Sequence, residues 1–221
     1  MRPFQNRRTA GAILAQELAG YSLRSDVVVL GLPRGGVPVA DAVAAAIGAP
    51  LDAFVVRKLG APYHEELAIG ALASDDLCVL DRRTIAELGI TREQLADVIA
   101  REGREIERRD LLYRVGRPFP DLTDRVVILV DDGLATGATM RVAVEALRAK
   151  RPAKVITAAP VASRDACEML RKSADGCVCV MTPDPFYGVG MWYDDFSETS
   201  DAEVIETLSR AARRQTAATA V

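Results

Sequence analysis

The 221-residue sequence predicts an α/β fold of the Rossmann-like, three-layer type, in which a central, mostly parallel sheet lies between layers of helices. Three observations lead there. Short runs rich in Val, Leu and Ile recur along the chain, and most are followed by a stretch of helical periodicity. Several runs are apolar at successive positions, the pattern of strands buried on both faces. The composition is 49% hydrophobic but only 5% aromatic, which suits Ala- and Val-rich helices on a buried sheet better than a sandwich.

Taken in order, the first helix is expected from about Arg7 to Ala19, with Ala10, Ile13, Leu14 and Leu18 on one face. Val27 to Leu30 forms a short strand that meets the turn Gly31-Leu32-Pro33-Arg34-Gly35-Gly36, and a helix follows from Val37 to Ile47. Leu51 to Val56 is the next buried strand, which completes a βαβ unit. Arg57 to Glu66 is expected as a polar loop, and Leu67–Ala73 with Leu77–Leu80 as a hairpin turned by Ser74, Asp75 and Asp76. Thr91 and Gln94 form a capping box for a long helix to Tyr113. Its charge run, Arg101 to Asp110, is a solvated face laced with i,i+4 pairs, or else an anion-binding or dimer surface.

The second half repeats the strand–helix alternation. Val126 to Val130 is a strand followed by Asp-Asp-Gly-Leu-Ala-Thr-Gly-Ala-Thr and a helix to about Lys150. Val155 to Ala159 is a strand, followed by a helix that Ser163 caps, and Cys177 to Met181 is the last strand. An irregular, aromatic-rich stretch runs from Thr182 to Phe196. Ser200 and Glu203 then form a second capping box for a helix to about Ala212, and the tail from Gln215 is expected to fray.

The net charge of −3 implies no general affinity for nucleic acid or for an anionic membrane, so a polyanionic small ligand would need local arginines, lysines and backbone N–H groups. The four cysteines, Cys78, Cys167, Cys177 and Cys179, show no CxxC pair or zinc-like spacing and are expected as buried free thiols, with Cys177 and Cys179 facing one side of a strand. No secretory h-region and no apolar run of about 18 residues is found, which makes a cytoplasmic location the expectation.

The most informative segment is Val126 to Met140. A strand that ends in Asp131 and Asp132 projects carboxylates at the carboxyl edge of the sheet. Gly133 and Gly137 let the backbone turn tightly, so that N–H groups from Gly133 to Thr139 converge on one phosphate at the start of the next helix, with Thr136 and Thr139 adding hydroxyls. Carboxylates beside an anion cradle make sense if they accept hydrogen bonds from a sugar. The segment lacks the GK[ST] ending of a Walker A loop and is not GxGxxG.

An apolar strand, two acids and a small-residue TGxT loop resemble the motif of type I phosphoribosyltransferases that binds 5-phosphoribosyl 1-pyrophosphate (PRPP). The resemblance extends from about Phe4 to Leu208, through VVRKLGAP, ELAIGALAS and FYGVGMWYDDFS, to a stand-alone bacterial subgroup of that family. It implies one domain over 1–221, with a flap hairpin at about 60–80 and a small C-terminal hood at about 182–199. By that resemblance Asp131 and Asp132 bind the ribose hydroxyls, and Gly133, Ala135, Thr136, Gly137, Ala138 and Thr139 hold the 5′-phosphate. Arg34, Gly35 and Gly36 bind pyrophosphate, with a non-proline cis peptide expected near Pro33–Arg34–Gly35. Arg57 or Lys58 adds charge there, and Asp131, Asp132, Arg34 and Lys58 form the implied catalytic set.

The flap segment Gly60 to Ser74 holds the only histidine, His64, which is either a bystander or a flap residue touching substrate. Glu65 and Glu66 are surface charges or a base for the incoming nucleophile. Phe186, Tyr187, Trp192 and Tyr193 either stack a nucleobase or pack the final helix onto the sheet. Mg²⁺ is expected through the substrate's own oxygens and water, with no direct protein ligand. The expected partners are PRPP and a small-molecule acceptor, with a homodimer as the family expectation. The chain does not match the hood or flap patterns of the hypoxanthine-guanine, adenine, orotate or uracil enzymes, so the acceptor stays open. A PRPP- or nucleotide-sensing regulator and a phosphohydrolase using the same pocket are the alternatives.

Overall fold

A computed structural model describes residues 3–75 and 77–219, with the backbone alone at 65, 66, 218 and 219. Helix α1 (Arg7–Glu17) leads to β1 (Val27–Gly31), α2 (Gly36–Ile47) and β2 (Leu51–Ala53). Then come β3 (Val56–Ala61), β4 (His64–Ala73), β5 (Leu77–Leu80), the short α3 (Arg82–Glu87) and the long α4 (Arg92–Arg114). The rest alternates: β6 (Val126–Val130), α5 (Ala138–Arg148), β7 (Lys154–Val161), α6 (Arg164–Ser173), β8 (Gly176–Met181) and α7 (Asp201–Thr219).

Five strands form an all-parallel sheet in the order β2-β1-β6-β7-β8. Along β1 and β6 every residue is buried, and the two sides feed different cores. Val27, Val29, Val126, Ile128 and Val130 pack with Leu14, Val39, Val43, Ile106, Val204 and Leu208, that is with α1, α2, α4 and α7. Val28, Leu30, Val127 and Leu129 pack with Met140, Val144, Leu147 and Leu170 of α5 and α6. Period-2 alternation of apolar side chains thus builds a three-layer sandwich, each buried side chain contributing about 1.5–3 kcal/mol. The expected α/β, mostly parallel architecture is what the chain adopts.

The order of strands reverses between β1 and β6: the chain builds outward to β2 on one side and to β7 and β8 on the other. Loops after two such strands diverge to opposite faces of the sheet and leave a crevice at their carboxyl ends. The turn at 31–36 and the loop at 131–139 flank that crevice.

Three element expectations change, and one short helix is added. The run Leu51–Val56 is not one strand, because the chain leaves the parallel sheet after Ala53 and Val56 starts a second sheet. Arg57–Glu66 is not a loop: β3 and β4 pair antiparallel from Val56↔Ala73 to Ala61↔His64, with register shifts around Gly60, and β5 completes a three-stranded sheet. Polar side chains on this strand stem from its two faces meeting different partners, which hides the alternation. The Asp76 position of the expected β4–β5 turn lies outside the described residues. Helix α3, capped by Asp81, is too short to carry a periodic signal. The last helix does not stop near Ala212 but runs to Thr219, since Arg210 and Arg214 both pair with the buried Asp41 of α2 and hold the final turns down. The Thr91–Gln94 box is complete, and Ser200 Oγ accepts from Glu203 N–H at the start of α7.

Candidate active site

The β1–α2 turn and the β6–α5 loop are in contact. A Cβ on Gly35 would stand 2.0 Å from Asp132 Oδ2, and one on Gly36 would stand 2.7 Å from the Val130 carbonyl and 2.9 Å from Asp131 Cα. Two backbones approach so closely only because both positions lack a side chain. The Pro33–Arg34 peptide is cis, at the place expected from the sequence.

The 133–139 loop is held from below. Leu134 N–H donates to Val161 O at 2.9 Å, Ser163 N–H to Leu134 O at 2.9 Å, and Ser163 Oγ to Ala135 O at 2.7 Å. Gly137, at φ 69°, turns the chain into α5. Among the described residues, the N–H groups of Gly133, Ala135, Thr136, Gly137 and Thr139 have no protein acceptor, while Ala138 N–H donates to Thr136 Oγ1 at 3.3 Å. The helix ends follow the same division. Helices α1, α3, α4 and α6 start on a side-chain cap, from Asn6, Asp81, Thr91 and Ser163, whereas α2 and α5 have none. Both helices thus turn the positive ends of their dipoles to the crevice, and α5 also offers open N–H groups, an arrangement suited to anions, whereas at the start of α2 Gly36 N–H donates to Leu32 O at 3.0 Å and Val37 N–H to Arg34 O at 3.2 Å.

Asp131 and Asp132 sit between these helix ends. Burial, and then the neighbouring Asp132 carboxylate, push the Asp131 carboxyl well above the usual carboxylate range. Burial raises Asp132 too, against the pull of Arg7. Arg7 Nε donates to Asp132 Oδ2 at 2.8 Å, Arg7 Nη1 donates to Ser197 O at 2.6 Å, and the guanidinium lies 4.1 Å from the Phe196 ring centre. The Tyr193 hydroxyl donates to the Asp132 carbonyl at 2.5 Å.

Sequence reasoning missed Arg7. The signal was present: Arg7 and Arg8 open a helix whose N-terminal dipole favours acids, so at least one of them needed a carboxylate from elsewhere. It also missed Val189, whose Cγ1 would lie 2.3 Å from a Cβ on Gly133 and so covers the loop, and Glu198, which forms an ion pair with Arg34.

Arg57 turns to α4, where its Nε and Nη2 stand 2.9 and 2.8 Å from Glu102 Oε2. Lys58, next on the strand, alternates to the opposite face. Tyr193 is buried and Trp192 half-buried against Phe4, Val161 and Met181, so these aromatics pack the N-terminal segment on the sheet instead of seating the final helix. Phe186 joins the same cluster, while Tyr187 is 82% exposed. His64 stands exposed at the β3–β4 tip, and the side chains of Glu65 and Glu66 lie outside the described residues. A cleft of about 810 Å³, lined by Leu72, Ile99, Ile106, Arg114 and Phe119 between α4 and the three-stranded sheet, touches neither loop. Phosphates are bound by converging N–H groups at an open edge, not by apolar volume, so the loops define the site.

A family profile for the phosphoribosyl transferase domain matches residues 5–195. The chain is 44% identical over 213 residues to proteins from the CDC 1551 and H37Rv strains of Mycobacterium tuberculosis, each provisionally designated a phosphoribosyl transferase. The match covers 96% of this chain and 48% of each relative, so the chain spans about half the length of the curated relatives it matches. The crystal structure of TT1426 from Thermus thermophilus is similar at 41% identity with a TM-score of 0.85, over 95% of this chain and 99% of that one.

Proposed function

The chain belongs to the phosphoribosyl transferase family, and on that premise we propose that it binds PRPP with Mg²⁺ in the β1–β6 crevice and transfers the 5-phosphoribosyl group to a nitrogenous acceptor, releasing pyrophosphate. The observation that carries this reading is the contact between the two loops: the N-termini of α2 and α5, neither with a side-chain cap, and two half-buried acids between them. A ligand with a phosphate at each end and hydroxyls in the middle matches that order of donors and acceptors.

In this reading the free N–H groups from Gly133 to Thr139 and the Thr136 hydroxyl hold the 5′-phosphate. Asp131 and Asp132 accept from the ribose hydroxyls and fix the ring relative to the pyrophosphate. Arg7 favours the charged form of Asp132 against the upward push of its surroundings. Arg34, with the Gly35 N–H and the close approach that Gly36 allows, takes the departing pyrophosphate once its guanidinium leaves Glu198. As the bond from ribose C1 to the pyrophosphate oxygen breaks, positive charge grows at C1 and negative charge on the leaving group, which these groups are placed to stabilise.

Asp131 and Asp132 provide two carboxylates, one already engaged by Arg7, and no third metal-ligating side chain joins them among the described residues. That donor set fits an ion held by substrate oxygens and water, with the acids reached through water. Mg²⁺ would supply charge neutralisation on the pyrophosphate. Tyr187, exposed beyond the loops, is the hood aromatic left to stack on an acceptor.

Incubation with PRPP, Mg²⁺ and a panel of nucleobases tests the proposal. Pyrophosphate release that depends on a base is expected. Base-independent turnover would point to a phosphohydrolase, and saturable binding without turnover to a sensor.

A further inference from the structure

The spacing of the cysteines implies four buried free thiols, and the structure differs in two ways. Cys78 is exposed, and the other three meet. Cys177 and Cys179 lie two apart on the edge strand β8, opposite Thr157 and Ala159 of β7, so both face α6. Cys167 comes one turn into α6, buried on the face that covers β8. Cys167 Sγ stands 2.9 Å from Cys179 Sγ, and Cys177 Sγ stands 3.8 Å from it; all three sulfurs lie within 4.8 Å of one another.

We infer that Cys167, Cys177 and Cys179 form a site for one thiophilic d¹⁰ metal ion of the Zn²⁺ class, bound by three thiolates with a fourth position for water. Three sulfurs each about 2.3 Å from a tetrahedral ion stand about 3.8 Å apart. The Cys177–Cys179 separation already has that value, and Cys167 needs to withdraw by less than 1 Å, roughly, to match it. Sulfur-only donors select Zn²⁺ or Cu⁺ over Mg²⁺. Cys177 and Cys179 are half-buried at the sheet edge, so an ion has access, while buried Cys167 forms the floor. On binding, sulfur–metal bonds replace the S–H bonds, the protons pass to solvent, and no electrons are exchanged. The site is separate from the crevice but mechanically close, since Ala166, adjacent to Cys167, packs under Gly137.

Zn²⁺ titration of the reduced full chain against a competing chelator tests this. One ion per chain is expected, with affinity falling at least about tenfold in each of Cys167→Ser, Cys177→Ser and Cys179→Ser and unchanged in Cys78→Ser. Zinc-edge X-ray absorption of the wild-type chain, which depends on no variant's folding, is expected to find three sulfur neighbours at about 2.3 Å. Light-atom coordination only, less than one ion per chain, equal loss in Cys78→Ser, or a Cys167–Cys179 disulfide that persists in the presence of Zn²⁺ and reductant would each overturn the inference.

Discussion

Replacing Glu198 by Gln isolates the contact that competes with the proposed substrate. Glu198 pairs with Arg34, and their side chains are 77% and 37% exposed, so the pair is a surface ion pair, screened by water and worth about 0.2–1 kcal/mol. PRPP must displace that carboxylate to reach Arg34. Removing it therefore lowers the Kd for PRPP by a factor of about 1.4 to 5, the fold-change equivalent of that energy. Arg34→Ala loses charge-assisted hydrogen bonds of about 1.5–3 kcal/mol, which weakens binding by roughly 10- to 150-fold. In the Arg34→Ala background Glu198→Gln is expected to have no effect, because the guanidinium for which Glu198 and PRPP compete is gone. Isothermal titration of PRPP at low and high salt measures all four proteins. Weaker binding in Glu198→Gln, or a loss under twofold in Arg34→Ala, would refute the assignment of Arg34 to the pyrophosphate.

Three further outcomes follow from the packing. Burial raises Asp131, so its ionised form costs stability, a contribution favourable below the unfolded-state pKa and lost as pH rises through the folded value. Asp131→Asn in the free protein is expected to raise Tm by about 2–4 °C at pH 7, roughly 1 kcal/mol for a chain of this size, and by nothing near pH 4, whereas a pH-independent change would contradict the burial argument. Gly133→Ala drives a methyl into Val189 and is expected to cost about 1–3 kcal/mol in urea unfolding, with Val189→Ala in the same chain restoring most of it. Arg114 is buried with Asp110 at 2.7 Å, Asp52 at 3.5 Å and the Ala53 carbonyl at 2.9 Å, so Arg114→Met leaves Asp52 unpaired and is expected to cost about 3–5 kcal/mol; recovery on adding Asp52→Asn checks the cause.

The residues that were legible in the sequence are those whose signal is local. Val126 to Thr139 carries its strand, acids and turn glycines contiguously, and Gly31 to Gly36 does the same, so the two loops and the carboxyl-edge location could be read directly. What joins them could not. Arg7 reaches Asp132 across 125 positions, and Tyr193 reaches the same residue across 61. Arg57 looked like a loop cation because β3 carries Arg57 and Lys58 side by side, and only pairing with β4 shows that they point to opposite faces. The Cys177-x-Cys179 pair was visible as one strand face, but Cys167 belongs to it only through the packing of α6 on β8. The final helix was cut short because its anchors, Arg210 and Arg214, find their acid on α2.

The proposed function depends most on the two acids at the end of β6. Titration of PRPP and Mg²⁺ into the wild-type chain and into the Asp131→Asn/Asp132→Asn variant measures it directly. Saturable binding by the wild type and a loss of at least about tenfold in the variant, with cooperative unfolding retained, is the expected result. No binding by the wild type, or equal affinity in the variant, would contradict the assignment of Asp131 and Asp132 to the ribose.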